Sequence, residues 1–220
     1  GVVGAGVNSI LRASDHHGRL LSWLLWALVV TTLLVSTRAQ AGLYRDEITF
    51  WRHAVSRNPG AWMAHNNLGA ALDKAGQTAE AMTSYRAALK LRPHYPEAMK
   101  NLGDDLRLLG RRAEARAAYE AALNWKPRFA EALNNLGELI WEEGDLEGAT
   151  VLFERALAVD DELPEAHNNF GAVCRKRGLA AEAMRHFALA VVLNPAFAEA
   201  RSNLAQSLRS AGRLEDAIAE

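Results

Sequence analysis

Ala64-His65-Asn66-Asn67-Leu68-Gly69 decides the fold, because it comes back. It returns as Ala98-Met99-Lys100-Asn101-Leu102-Gly103, as Ala132-Leu133-Asn134-Asn135-Leu136-Gly137 and as Ala166-His167-Asn168-Asn169-Phe170-Gly171. A fifth copy reads Ala200-Arg201-Ser202-Asn203-Leu204-Ala205, and every copy starts 34 residues after the one before. A fixed period of this size marks stacked repeats, in which each unit buries its apolar stripe only against a neighbour.

Around the first copy, the spacing predicts a helix A over Trp62 to Gly76 and a helix B over Thr78 to Arg92. Gly76, with Gly110, Gly144, Gly178 and Gly212 in later copies, stands where helix A must close in a left-handed turn. Helix B carries Ala81, Tyr85 and Ala88, then Pro93, which ends it. The second copy matches at every one of these positions and the fourth does with Phe187 for the tyrosine; the third has Phe153 there and Asp161 in place of the proline. Gly69 and Ala81 are small where A and B cross, Leu68 and Tyr85 fill the space beside the crossing, and Ala88 admits the next repeat.

This pattern resembles the tetratricopeptide repeat from about Trp62 to Glu220. The resemblance implies an all-α fold, a right-handed α-solenoid of helix-turn-helix units whose A helices line a concave surface. Repeats are expected at residues 62–95, 96–129, 130–163, 164–197 and, truncated, 198–220. Residues 39–61 form a connector and a capping helix. Within it Asp46 is the expected N-cap, and Trp51, Ala54 and Pro59 take the aromatic, small and proline positions of a half-repeat. Glu47 departs from the pattern.

Upstream, residues 20–37 contain no charge, and Arg19 and Arg38 bracket them. A helix of that length reaches roughly 27 Å, near the hydrocarbon thickness of a bilayer. Trp23 and Trp26 lie near one end, as interfacial rings do. We expect a transmembrane helix over 20–38 ahead of the solenoid, preceded at 1–19 by the end of another apolar helix and a polar hinge. The chain starts at Gly1 rather than Met and stops inside a repeat, so it reads as a piece of a longer protein. The span followed by Tyr44-Arg45-Asp46-Glu47-Ile48-Thr49-Phe50-Trp51 is similar to the junction of membrane sugar-transfer proteins of the GT-C type, related to O-mannosyltransferases. That resemblance implies membrane localisation (the inner membrane, if bacterial), with the repeats on the periplasmic or luminal side. It carries no catalytic residue onto this chain.

Composition narrows the function. Of 220 residues half are hydrophobic and the net charge is −1, which gives no electrostatic reason to expect a nucleic-acid partner. The one cysteine, Cys174, replaces leucine or isoleucine of the other copies and reads as core. The histidines show no metal-ligand spacing, the glycines no phosphate-loop spacing, and no catalytic constellation stands out, so neither cofactor nor metal is expected. Adjacent carboxylates such as Asp104-Asp105 point apart on a helix and read as solvated surface.

The A helices remain. Position six of the repeat is asparagine in all five copies: Asn67, Asn101, Asn135, Asn169 and Asn203. A carboxamide both donates and accepts, so a row of them can pair with an extended backbone. The row resembles the asparagine ladder of O-linked N-acetylglucosamine transferases, which holds peptides. Equally open is that each Asn bonds to a neighbouring helix. Asn66, Lys100, Asn134 and Asn168 at position five, with Arg107, Trp141 and Arg175 at position twelve, complete the candidate concave site. The expected partner is a protein or extended peptide, with the bilayer met through residues 20–37. The alternative is that the chain presents acceptor protein to a glycosyltransferase domain lying outside it, and a third reading is a scaffold of repeats meeting repeats.

Overall fold

The computed structural model describes Leu28, Thr31 and residues 46–212, and the chain divides into two compact units, Gly1–Asn58 and Pro59–Glu220. In the first unit, α1 is Glu47–Arg57. Asp46 caps it as expected: its backbone is extended, and its carboxylate accepts from the Ile48 and Thr49 amides, both at 3.2 Å. The expected span over 20–38 lies outside the described residues except for Leu28 and Thr31, both helical. Among the described residues no helix is long and apolar enough to cross a membrane. The second helix of the fifth repeat also falls outside the described residues.

The second unit is a helical solenoid with no strand among the described residues. Its elements are α2 (Trp62–Lys74), α3 (Thr78–Leu91), α4 (Pro96–Leu108), α5 (Arg112–Trp125), α6 (Ala130–Glu142), α7 (Leu146–Val159), α8 (Pro164–Lys176), α9 (Ala180–Leu193) and α10 (Ala198–Ser210). Even-numbered helices are A and odd-numbered ones from α3 onward are B. Each A packs on its own B, each B on the next A, and α4, α6, α8 and α10 also touch in succession. The A faces therefore form one continuous surface.

The repeated sequence positions have a steric cause. A Cβ on Gly69 would lie 2.5 Å from the Tyr85 ring, and on Gly103, Gly137 and Gly171 within 2.6, 2.6 and 2.8 Å of Tyr119, Phe153 and Phe187. Those four rings are at most 1 % exposed, so none can retreat. Ala81, Ala115, Ala149 and Ala183 are likewise sealed at the crossing. Burial of each ring contributes about 1.5–3 kcal/mol. Gly76 and Gly110 close their helices at φ 73° and 72°, where an L side chain is strained.

Loops between repeats are pinned by side chains. Position-four histidines reach back six residues: Nε2 of His65 meets the Pro59 carbonyl at 3.0 Å, and Nε2 of His167 the Asp161 carbonyl at 2.9 Å. In the copy that lacks proline, the Asp160 carboxylate accepts from the Glu162 amide at 3.0 Å and makes the turn instead.

The candidate groove along the A helices

The asparagine column lies on the surface shared by the A helices, and the amide donors of Asn101, Asn135, Asn169 and Asn203 point into the stack. Nδ2 of Asn101 donates to Asn66 Oδ1 at 3.3 Å, that of Asn169 to Asn134 Oδ1 at 2.9 Å, and that of Asn203 to Asn168 Oδ1 at 2.9 Å. Asn135 departs only because Lys100 replaces the position-five acceptor, and its Nδ2 turns to Asp104 Oδ1 at 2.6 Å. The bonds thus run from position six of one repeat to position five of the previous one, or to position nine. The position-five asparagines are not groove surface: Asn66, Asn134 and Asn168 are 7, 2 and 1 % exposed. These buried carboxamides need partners, and the column supplies them.

The acceptor side of the column is less committed. Oδ1 of Asn67 accepts from Asn66 at 3.4 Å, that of Asn135 from Asn134 at 3.2 Å, and that of Asn203 from Arg175 at 3.1 Å. The Oδ1 atoms of Asn101 and Asn169 accept from no donor among the described residues. What the column offers an incoming chain is therefore mainly acceptors.

The other candidate residues are engaged with one another. Lys100 pairs with Asp104 at 2.9 Å. Arg107 bridges to the next repeat, 3.0 Å from Glu138 and 2.9 Å from Glu142, while its Nε is buried without a partner. Burial alone would lower the Arg107 pKa; the Glu138 and Glu142 carboxylates more than offset it and raise it. Arg175 donates to Asn203 and to Gln206 Oε1, the latter at 2.9 Å. Trp141 is half-buried and walls two cavities, of about 290 and about 210 Å³. A larger one of about 400 Å³ lies beside Arg175, Gln206 and Ser207, lined otherwise by Ala and Ser, and its one charge is already bonded.

Two buried clusters escaped the sequence reading. Asp105 is 2 % exposed, so the Asp104-Asp105 pair is not the solvated surface expected of it. Position ten faces the core, where other copies have Ala71, Leu139 and Val173. Burial first, then the Asp73 and Asp104 carboxylates, push the Asp105 carboxyl up to about 8, so it is protonated at neutral pH. Asp73 accepts the Tyr85 hydroxyl and Asp104 the Tyr119 hydroxyl, at 2.5 and 2.8 Å. Burial and these carboxylates raise both phenol pKa values far above the ordinary tyrosine value. The signal in the sequence was an Asp at a position otherwise filled by hydrophobic residues and one serine.

The second cluster is His167 with His186, both 6 % exposed, whose Nδ1 atoms lie 2.9 Å apart. Nε2 of His167 donates to the Asp161 carbonyl, so its Nδ1 accepts from Nδ1–H of His186. Nε2 of His186 in turn accepts from Arg185 at 3.3 Å. Burial, then the His167 and Arg185 charges, lower the His186 pKa to about 4. His186 is therefore neutral at neutral pH, and the contact is structural. Among the described residues no group of His, Cys, Asp or Glu could hold a metal ion.

Comparison with known proteins agrees with this geometry. Residues 62–95 match the model "tetratricopeptide repeat" and residues 103–144 the model "TPR repeat". Residues 62–95 and 103–144 thus match tetratricopeptide repeats, and the helix pairs that follow them stack in the same way. Among solved structures the solenoid is similar to a chain of the APC/C hetero-tetramer Cut9-Hcn1, with TM-score 0.70 and 19% identity over 77% of this chain and 34% of that one. The chain therefore spans about a third of that relative. It is also similar to TTC0263, a thermophilic TPR protein of Thermus thermophilus (TM-score 0.62, 27% identity, 72% of this chain, 87% of that one). A third is YrrB, described as a TPR protein with an unusual peptide-binding site (TM-score 0.56, 21% identity, 76% of this chain, 87% of that one). No curated protein matches the chain. The resemblance of the N-terminal junction to sugar-transfer membrane proteins gains no support from these matches.

Proposed function

We propose that this chain is a protein-interaction scaffold whose A-helix groove holds an extended peptide segment of a partner protein. One observation carries the reading. The A helices present a continuous surface on which Asn101 and Asn169 keep unbonded carboxamide oxygens, while the donors that hold the repeats together are directed away from it. The bound chain gives its N–H groups to those oxygens, and side chains enter the spaces beside Trp141. Peptide binding by YrrB, the structural relative, accords with this use of the fold. The apolar run at residues 20–37 anchors the groove to a membrane, with the repeats on the periplasmic or luminal side.

Removing the asparagines is a poor test, because they bond the repeats. Filling the groove is better. Ala70 and Ala172 are the small position-nine residues, and Ala70→Tyr with Ala172→Tyr blocks the surface without deleting a hydrogen bond. Random nonapeptides displayed against the full chain should enrich on the unaltered protein, and the enriched set should bind the blocked variant at least about tenfold more weakly, a loss of roughly 1.4 kcal/mol. Val151→Tyr, on an exposed part of α7, serves as control. Undiminished binding by the blocked variant would refute the groove reading.

A further inference from the structure

We infer that the cavity beside Trp141 is a subsite for one cationic side chain, arginine above all, carried by the peptide in the groove; this rests on the groove reading. The cavity exists because Ala172 occupies position nine of the fourth repeat, where the two preceding repeats project Asp104 and Glu138. Its volume, about 290 Å³, is at the bottom of the roughly 300–1,000 Å³ range of drug-sized sites and suits a single side chain. Trp141 forms one wall, and Glu138, Glu142 and Glu199 supply the charge.

The three carboxylates are not equivalent. Glu138 and Glu142 share Arg107, at 3.0 and 2.9 Å, and Arg112 lies 3.6 Å from Glu142. Glu199 receives only the neutral Asn168 Nδ2, at 3.0 Å, and has no cationic partner among the described residues. An entering guanidinium meets both the Trp141 side chain and this uncompensated carboxylate. A planar cation stacks on an aromatic face and bonds a carboxylate in two directions at once, which a lysine ammonium does less well. Asn169, whose Oδ1 has no donor among the described residues, lines the same cavity and can take the peptide N–H next to the cationic residue. A carboxylate ligand is disfavoured here by the same three glutamates.

The test selects random nonapeptides on the full chain and measures the best binders by calorimetry, each as the Arg peptide and as its citrulline isostere, against the unaltered protein, Glu199→Gln and Trp141→Leu. Enriched peptides should share an arginine. Citrulline should weaken binding roughly fivefold or more in the unaltered protein and less than about twofold in either variant. Enriched peptides that are lost on blocking Ala70 and Ala172 but carry no common cation, or bind equally as citrulline, would overturn the subsite and leave the groove standing. No enrichment at all would overturn both.

Discussion

Asn169→Ala measures how much of the asparagine column serves the stack. The side chain gives 2.9 Å to Asn134 Oδ1 and 2.7 Å to Glu138 Oε1. Asn134 is 2 % exposed, and its own Nδ2 is already donated to Asn135 and Glu138. Truncation therefore takes the Asn169 donor from a buried carbonyl, a cost of about 1–3 kcal/mol. Glu138 loses less, because Arg107 stays with it and its side chain is 27% exposed to water. Alanine returns about 0.5 kcal/mol through helix propensity, so the net loss is about 2 kcal/mol. Asn67→Ala removes only a long, 3.4 Å contact from Asn66 Nδ2 and should cost less, about 1 kcal/mol or below. Urea unfolding followed by circular dichroism gives the totals. Amide exchange in α6 and α8 localises the loss, since a repeat stack opens by neighbouring units. A change below about 0.5 kcal/mol for Asn169→Ala, or one no larger than for Asn67→Ala, would refute the account of the column as an inter-repeat clamp.

Three further outcomes follow from the packing and the buried charges. Gly137→Ala should destabilise by about 1 kcal/mol net, because overpacking against Phe153 costs about 1–3 kcal/mol and helix propensity returns about 1; pairing it with Phe153→Leu should shrink the penalty, and a stabilised single variant would count against the crowding. Asp105 is protonated in the folded chain up to about pH 8 but ionised above about 4 when unfolded, so its contribution is full below about pH 4 and is lost as pH rises through about 8, at no more than ~1.4 kcal/mol per pH unit. Asp105→Asn should flatten the dependence of the urea midpoint between about pH 5 and 9 relative to the unaltered chain, and parallel curves would contradict it. His186 has a depressed pKa of about 4, so its contribution is present above about pH 6.5 and is lost as pH falls towards 4; its imidazole nitrogens should report the neutral Nδ1–H form by NMR at pH 5.5, and an ordinary titration near 6.5 would contradict the pair.

The sequence by itself determined the repeat, its period and its crossings. Gly69, Ala81, Tyr85 and Ala88 recur because a close helix crossing tolerates only small residues at the contact and one ring beside it, a constraint local enough to write itself into every copy. The same holds for Gly76, for the Asp46 cap, and for Cys174 as core. What the asparagines do was not legible, since a carboxamide on an A helix reads the same whether its donor meets a ligand or the previous repeat. That choice depends on a neighbour 31 or 35 residues away, and the tertiary structure fixes it. Asp105 shows the same limit in reverse. Beside Asp104 it looked like surface, and only the stacking of α4 between its neighbours shows one carboxyl sealed in and the other bonded to a tyrosine. Helix periodicity tells which residues share a face, but burial and partners are set between repeats, where sequence adjacency carries no information.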